Sequence, residues 1–175
     1  MAPHSGCGTL NFLMNEKNII SKITNIQIAV PTLEDIWSLQ AAASQFPQIE
    51  LPTEHYFANG MYCRKIMMPK GSLVVGKVHT SLHLFMCVKG ACTVWTELES
   101  RGFVAGDVVV SVPGTKRVLL MLEDTVCITM HKTDKTDIAE LEKELTEEDP
   151  TSMYAVGNVL KLPLVASAKL TEGEL

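Results

Sequence analysis

Gly76-Lys77-Val78-His79-Thr80-Ser81-Leu82-His83, running on to Lys89-Gly90, and Gly106-Asp107-Val108-Val109-Val110-Ser111-Val112-Pro113-Gly114-Thr115-Lys116-Arg117 decide how this chain folds. Each is an apolar run held between residues that suit tight reversals. Outward from them, short apolar runs recur between turn signals from Pro52 onward, at the spacing of an all-β domain. Strands are predicted near 61–67, 73–79, 82–88, 91–97, 107–112, 117–122 and 125–131. Turns are predicted at Pro69-Lys70-Gly71, Lys89-Gly90, Gly106-Asp107, Pro113-Gly114 and Glu123-Asp124.

Helices are confined to the flanks. Thr32 is placed to cap a helix over 32–45, with Asp35 as the capping-box acid and Leu33, Ile36, Trp37 and Leu39 forming an apolar face. A second helix fits 137–147, with Asp137 as its cap, Ile138, Leu141 and Leu145 on one face, and Glu142, Lys143, Glu147 and Glu148 read as solvated charge. Residues 1–24 show no periodicity and read as a loosely held arm, and Ile26 to Val30 alternates like an edge strand. Val159-Leu160-Lys161-Leu162-Pro163-Leu164-Val165 is too apolar for a free tail and is expected to pack on its own barrel or on a second subunit. The chain therefore divides into an arm and helix over 1–51, a barrel over 52–133, and a helix with an apolar extension over 134–175.

Composition narrows the function. The 175 residues carry a formal net charge of −5 and no run of Lys and Arg, which argues against nucleic acid as a partner. No apolar run reaches the roughly 18 residues that span a bilayer. The stretch after Met1 lacks the basic start and apolar core of a secretory signal, so a cytoplasmic location with no membrane partner is expected. The five cysteines, Cys7, Cys63, Cys87, Cys92 and Cys127, are odd in number and form no Cys-x-x-Cys pair, so they read as free thiols acting as small hydrophobes.

The residues able to do chemistry are few. His83 shares a strand face with Phe85 and Cys87, and His131 shares one with Cys127 and Thr129. If those faces line the interior, His79, His83 and His131 converge as a metal triad suited to zinc, iron, manganese or nickel. Lys77 adds positive charge near them. Arg117 and Lys116, after the Pro-Gly turn, either pair with an anionic ligand or form a solvated turn. Arg64 and Glu54 sit at the barrel entrance. His55, Tyr56, Phe57 and Tyr62 either wall a ligand pocket or pack the barrel end. The expected ligand is a small polar or anionic molecule, with Arg117, Arg64, Lys77 and Tyr62 as its contacts.

The two opening segments resemble the paired strand-turn-strand motifs of the cupins, and from Leu51 to about His131 the chain is similar to the small cupin-like proteins of tailed bacteriophages and some bacteria. Seven residues before Gly90, His83 stands where that pattern has its glutamate, and His79 stands where it has its second histidine. The first histidine of the pattern falls near Lys77, and the second-motif histidine at Arg117 or Val118. Leu82 replaces an acidic residue usual in those relatives. The resemblance implies a double-stranded β-helix (jelly-roll) barrel with flanking helices, holding one divalent ion. It also implies metal-assisted isomerase, lyase or dioxygenase chemistry on a small polar substrate. The alternative is a non-catalytic interaction protein that has lost the usual ligand set. Barrel edges and the apolar C-terminal segment predict a homodimer.

Overall fold

The computed structural model describes residues 30–161. Among these residues nine strands form two antiparallel sheets. One has five strands in the order β1-β2-β9-β4-β7 and the other four in the order β3-β8-β5-β6. In the larger sheet β1 is Thr53–Ala58, β2 Met61–Met68, β4 His83–Lys89, β7 Val108–Ser111 and β9 Thr125–Lys132. In the smaller, β3 is Leu73–Val75, β5 Ala91–Trp95, β6 Ser100–Val104 and β8 Val118–Met121. Non-sequential neighbours in both sheets give the jelly-roll barrel that the two motifs implied.

Alternation along the strands decides what faces inward. On β9, Thr125, Cys127, Thr129 and His131 are buried while Val126, Ile128 and Met130 are half-exposed. Phe85, Cys87, Cys92, Val94, Phe103, Leu119, Met121 and Cys127 fill the interior between the sheets. The four described cysteines are free, as the sequence suggested. At the turn after β4, Gly90 has φ +78, and a Cβ there would stand 2.5 Å from the Asp124 carbonyl oxygen, so only glycine fits.

Two helices cover parts of this barrel. Helix α1, Leu33–Ala43, begins at Thr32, and the expected capping box with Asp35 is present. Its Ile36 and Leu39 pack with Val75, Trp95 and Val118 on the outer side of the smaller sheet. Helix α2, Ile138–Leu145, is capped by Asp137, and its Leu141 and Leu145 pack on Tyr62 at one end of the larger sheet. No helix among the described residues is long and apolar enough to cross a membrane.

The structure corrects several expectations. Strands β1 and β6 were not predicted. The strand expected over 73–79 stops at Val75, and from Val78 on the backbone bonds to the end of α2 and the residues after it instead of a neighbouring strand: Glu147 N–H donates to Val78 O, and Thr80 N–H to Leu145 O. Val159 and Leu160 return to the barrel of the same chain, with Lys161 N–H donating to Met153 O at 3.0 Å and Leu160 packed against the interior core. The arm over 1–24, most of the edge strand at Ile26 to Val30, Cys7, and the segment from Leu162 onward lie outside the described residues.

Candidate metal centre

Three elements deliver the three histidines. His79 lies in the loop between β3 and β4, where its carbonyl accepts from Gly114 N–H and its backbone bridges to Thr146 at the end of α2. His83 opens β4, opposite Ser111, and His131 nears the end of β9, opposite Tyr62. All three are buried, with exposures of 7%, 4% and 2%. Their potential ligand atoms lie within 4.8 Å of one another. Ring centroids are 4.2 Å apart for His79 and His83, 4.5 Å for His83 and His131, and 5.2 Å for His79 and His131.

One ring nitrogen of each imidazole has no protein partner: Nδ1 of His79, Nε2 of His83 and Nδ1 of His131. Leaving such an atom buried and unsatisfied costs about 1–3 kcal/mol. Three rings that each hold such an atom and that bring a ligand nitrogen apiece within 4.8 Å of one another are suited to a shared ligand. His83 is the best defined, because its Nδ1 donates to Ser81 O at 3.0 Å and so leaves the Nε2 lone pair free.

Electrostatics keep these rings neutral. Burial pushes the His79 pKa well below the ordinary value, with Arg64 and the other two histidines acting in the same direction. Burial followed by His83 and Arg64 brings His131 down to about 3. His83 is lowered by burial, against the opposing effect of its bond to Ser81. Neutral imidazole is the form that binds a metal.

Of the three histidines, His79 reaches a cavity of about 80 Å³, whose lining also includes Arg64, Arg117, Thr129, Lys77 and Glu142. At roughly 10–15 Å³ per water, it has room for a ligand of about half a dozen non-hydrogen atoms. A second space of about 10 Å³ lies between Tyr62, Arg64, His79, His131 and α2. Thr129 Oγ1 and Arg64 Nε are also buried without protein partners, so the site presents unsatisfied donors as well as imidazoles.

Arg117 is 8% exposed, bonds to Ser111 Oγ, and lies 4.8 Å from the centre of the Phe85 ring. Burial lowers its pKa to about 10, which leaves it charged at neutral pH. Lys116 is fully buried and reaches Gly76 O at 3.0 Å and Asp149 at 3.3 Å, above the ring of Trp37. The solvated-turn reading of these two residues is therefore wrong: the chain turns them inward, one to the cavity and one to a buried carboxylate.

Lys77 lines the cavity, but its Nζ is held at 2.6 Å by Glu142 of α2, so its charge is partnered. Tyr62 stacks on His131, with its hydroxyl 2.7 Å from His55 Nδ1. Glu54 points outward on β1 and pairs with Lys65. Glu142 was read as solvated charge, yet it lines the cavity and also accepts from Gly157 N–H at 2.7 Å. The signal was present, since Ile138, Glu142 and Leu145 share one helix face by their spacing. Ser152, Tyr154 and Asn158, which also line the cavity, had no signal because they reach it from an irregular segment.

No protein-family model matches the chain, and no curated protein matches it in sequence. Solved structures similar to it are cupin barrels. A cupin 2 conserved barrel domain protein from Salinispora arenicola is 17% identical over 54% of this chain and 82% of its own, with a TM-score of 0.42. An RmlC-like cupin from Shewanella frigidimarina is 19% identical over 50% of this chain and 80% of its own, at 0.43. For an RmlC-like cupin family protein with a double-stranded β-helix fold from Methanocaldococcus jannaschii the values are 15%, 47%, 80% and 0.41. The reading of the site rests on the geometry above and not on these likenesses.

Proposed function

We propose that His79, His83 and His131 hold one divalent transition-metal ion and that the adjoining cavity seats a small anionic molecule against Arg64 and Arg117. The observation that carries this reading is the convergence of three buried, uncharged imidazoles, each with a ring nitrogen that no protein group satisfies. Imidazole donors suit zinc, iron or nickel, and manganese is also accommodated. Held by these three imidazoles, such an ion would supply Lewis-acid chemistry, polarising a substrate oxygen or lowering the pKa of water.

The chain's own residues do the rest. Arg117, fixed by Ser111 and Phe85, presents a guanidinium of set orientation to a carboxylate or phosphate. Arg64 and Thr129 offer donors from neighbouring strands, and the apolar walls of Ile66, Met68, Val74 and Leu119 limit access by water. The reaction classes that fit are metal-assisted isomerisation, elimination or oxygenation of a small polar substrate. A second reading has one observation in its favour. Two guanidinium groups stand near the imidazoles, while Glu142, the carboxylate lining the cavity, is taken by Lys77 and Gly157. The same pocket can therefore bind an anion without a metal, as a binding module.

Metal analysis of untagged protein, followed by titration with zinc, manganese, nickel or iron(II), separates the two. The metal reading expects one ion per chain and a raised melting temperature, both lost in His83→Ala, whose metal-free form melts no lower than metal-free wild type. If no ion binds or stabilises the wild type, the metal reading fails and the barrel is an anion-binding module.

A further inference from the structure

The cavity changes character along its length. On β2 its wall is Arg64, Ile66 and Met68, consecutive inward positions that span about 13 Å of strand. Register carries the same change across the larger sheet. Arg64 stands opposite Thr129, and Thr129 opposite Phe85, whereas one step further from the histidines Ile66 stands opposite Cys127, and Cys127 opposite Cys87. The smaller sheet repeats it. Arg117, just before β8, is followed at inward positions by Leu119 and Met121, and Leu119 pairs with Val74 of β3. The cavity thus has a cationic end beside His79 and an apolar end between Ile66, Met68, Val74 and Leu119.

Hydrogen-bonding demand is confined to the cationic end. Of the residues lining the cavity, His79, Arg64 and Thr129 are the ones that hold a buried polar side-chain atom without a partner. The other polar groups of the wall are taken. Tyr154 donates its hydroxyl to Ile49 O at 2.9 Å, Ser152 its hydroxyl to Tyr154 O at 3.1 Å, and Asn158 Nδ2 reaches Thr53 Oγ1 at 3.1 Å. Lys77 and Glu142 hold each other. Neither Arg64 nor Arg117 takes part in an ion pair among the described residues.

We infer that the ligand is a short-chain monocarboxylate, its carboxylate against Arg64, Thr129 and Arg117 and its hydrocarbon tail between Ile66, Met68, Val74 and Leu119. This rests on the anion seat proposed above and narrows it to one chemical class. A single anionic head answers donors that are gathered at one end, and the two oxygens of a carboxylate match a guanidinium. The second charge of a dicarboxylate would fall among apolar side chains that offer it no hydrogen bond. A phosphate dianion asks for more donors than this end presents and has no tail to fill the other. The volume of about 80 Å³ admits an acid of about four or five carbons and excludes a fatty acid.

Calorimetric titration of the full chain in Tris buffer, with and without zinc, tests this with acetate, butyrate, 3-methylbutyrate, octanoate, succinate and inorganic phosphate. Butyrate and 3-methylbutyrate are expected to bind about tenfold or more tighter than acetate, because their further carbons enter the apolar end. Succinate and phosphate are expected to bind no tighter than acetate, and octanoate more weakly than butyrate, because the cavity closes. Ile66→Thr should lower butyrate affinity about fivefold and leave acetate unchanged, while Arg64→Gln should lower both. Butyrate binding no tighter than acetate, or succinate or phosphate binding tighter than butyrate, overturns the inference and leaves the anion seat standing. If none of these anions binds in either form, the anion seat itself fails and the inference falls with it.

Discussion

His83 donates one ring nitrogen to the carbonyl two residues back, and that bond decides which nitrogen remains for a ligand. The three histidines also set a pH dependence. Their native pKa values are depressed by burial, so above about 6.5 neither the native nor the unfolded chain holds the extra protons. Below it the unfolded chain takes up protons that the native site refuses, and stability falls as pH drops from about 6.5 toward 3. The limiting slope is about 1.4 kcal/mol per pH unit for each histidine. His55, lowered mainly by burial, adds in the same direction. Metal-free wild type should therefore lose urea resistance between pH 7 and pH 5, and His131→Gln should lose less. Equal slopes for the two would contradict the assignment of that cost to the site. His79 and His83 were legible because they share one short segment, and His131 because alternation on its strand fixes its face. The burial of Lys116 and Arg117 was not legible. Their compensating groups, Asp149, Ser111 and Phe85, are joined to them only by the fold, and beside a Pro-Gly turn two cations look solvated.

At the level of elements, the strands that were missed are both sheet edges, β1 in the larger sheet and β6 in the smaller. An edge strand has a neighbour on one side only and keeps polar residues, as Thr53-Glu54-His55 and Ser100-Arg101-Gly102 do, so period-two hydrophobicity fades there. Residues 76–79 were read as the end of a strand because Val78 is apolar, but the end of α2 and the residues just after it supply the backbone partners there. That makes α2 the support of His79. Leu141→Ala, at a site 1% exposed, should cost about 2–3 kcal/mol and also weaken zinc binding. Ile36→Ala, on the buried face of α1 against the smaller sheet and of comparable cost, should lower stability with zinc affinity unchanged. Paired urea and zinc titrations of the two variants check this, and equal effects on zinc would mean that α2 does not hold the loop.

For the whole molecule, the account describes a barrel whose interior is divided along its axis. Apolar side chains, including three thiols, fill the part packed around Phe85 and Phe103, while imidazoles, guanidinium groups and a partnered carboxylate gather toward the part closed by α2. Among the described residues this division leaves one place where a metal would be welcome, and it keeps the buried cysteines of the apolar part out of the donor set. X-ray absorption at the zinc edge of stoichiometrically loaded wild type tests that claim most directly. The account predicts one zinc per chain with three imidazole nitrogens at about 2.0–2.1 Å and light-atom ligands in any remaining position. Failure to take up zinc, or a shell containing sulfur at about 2.3 Å, would contradict it.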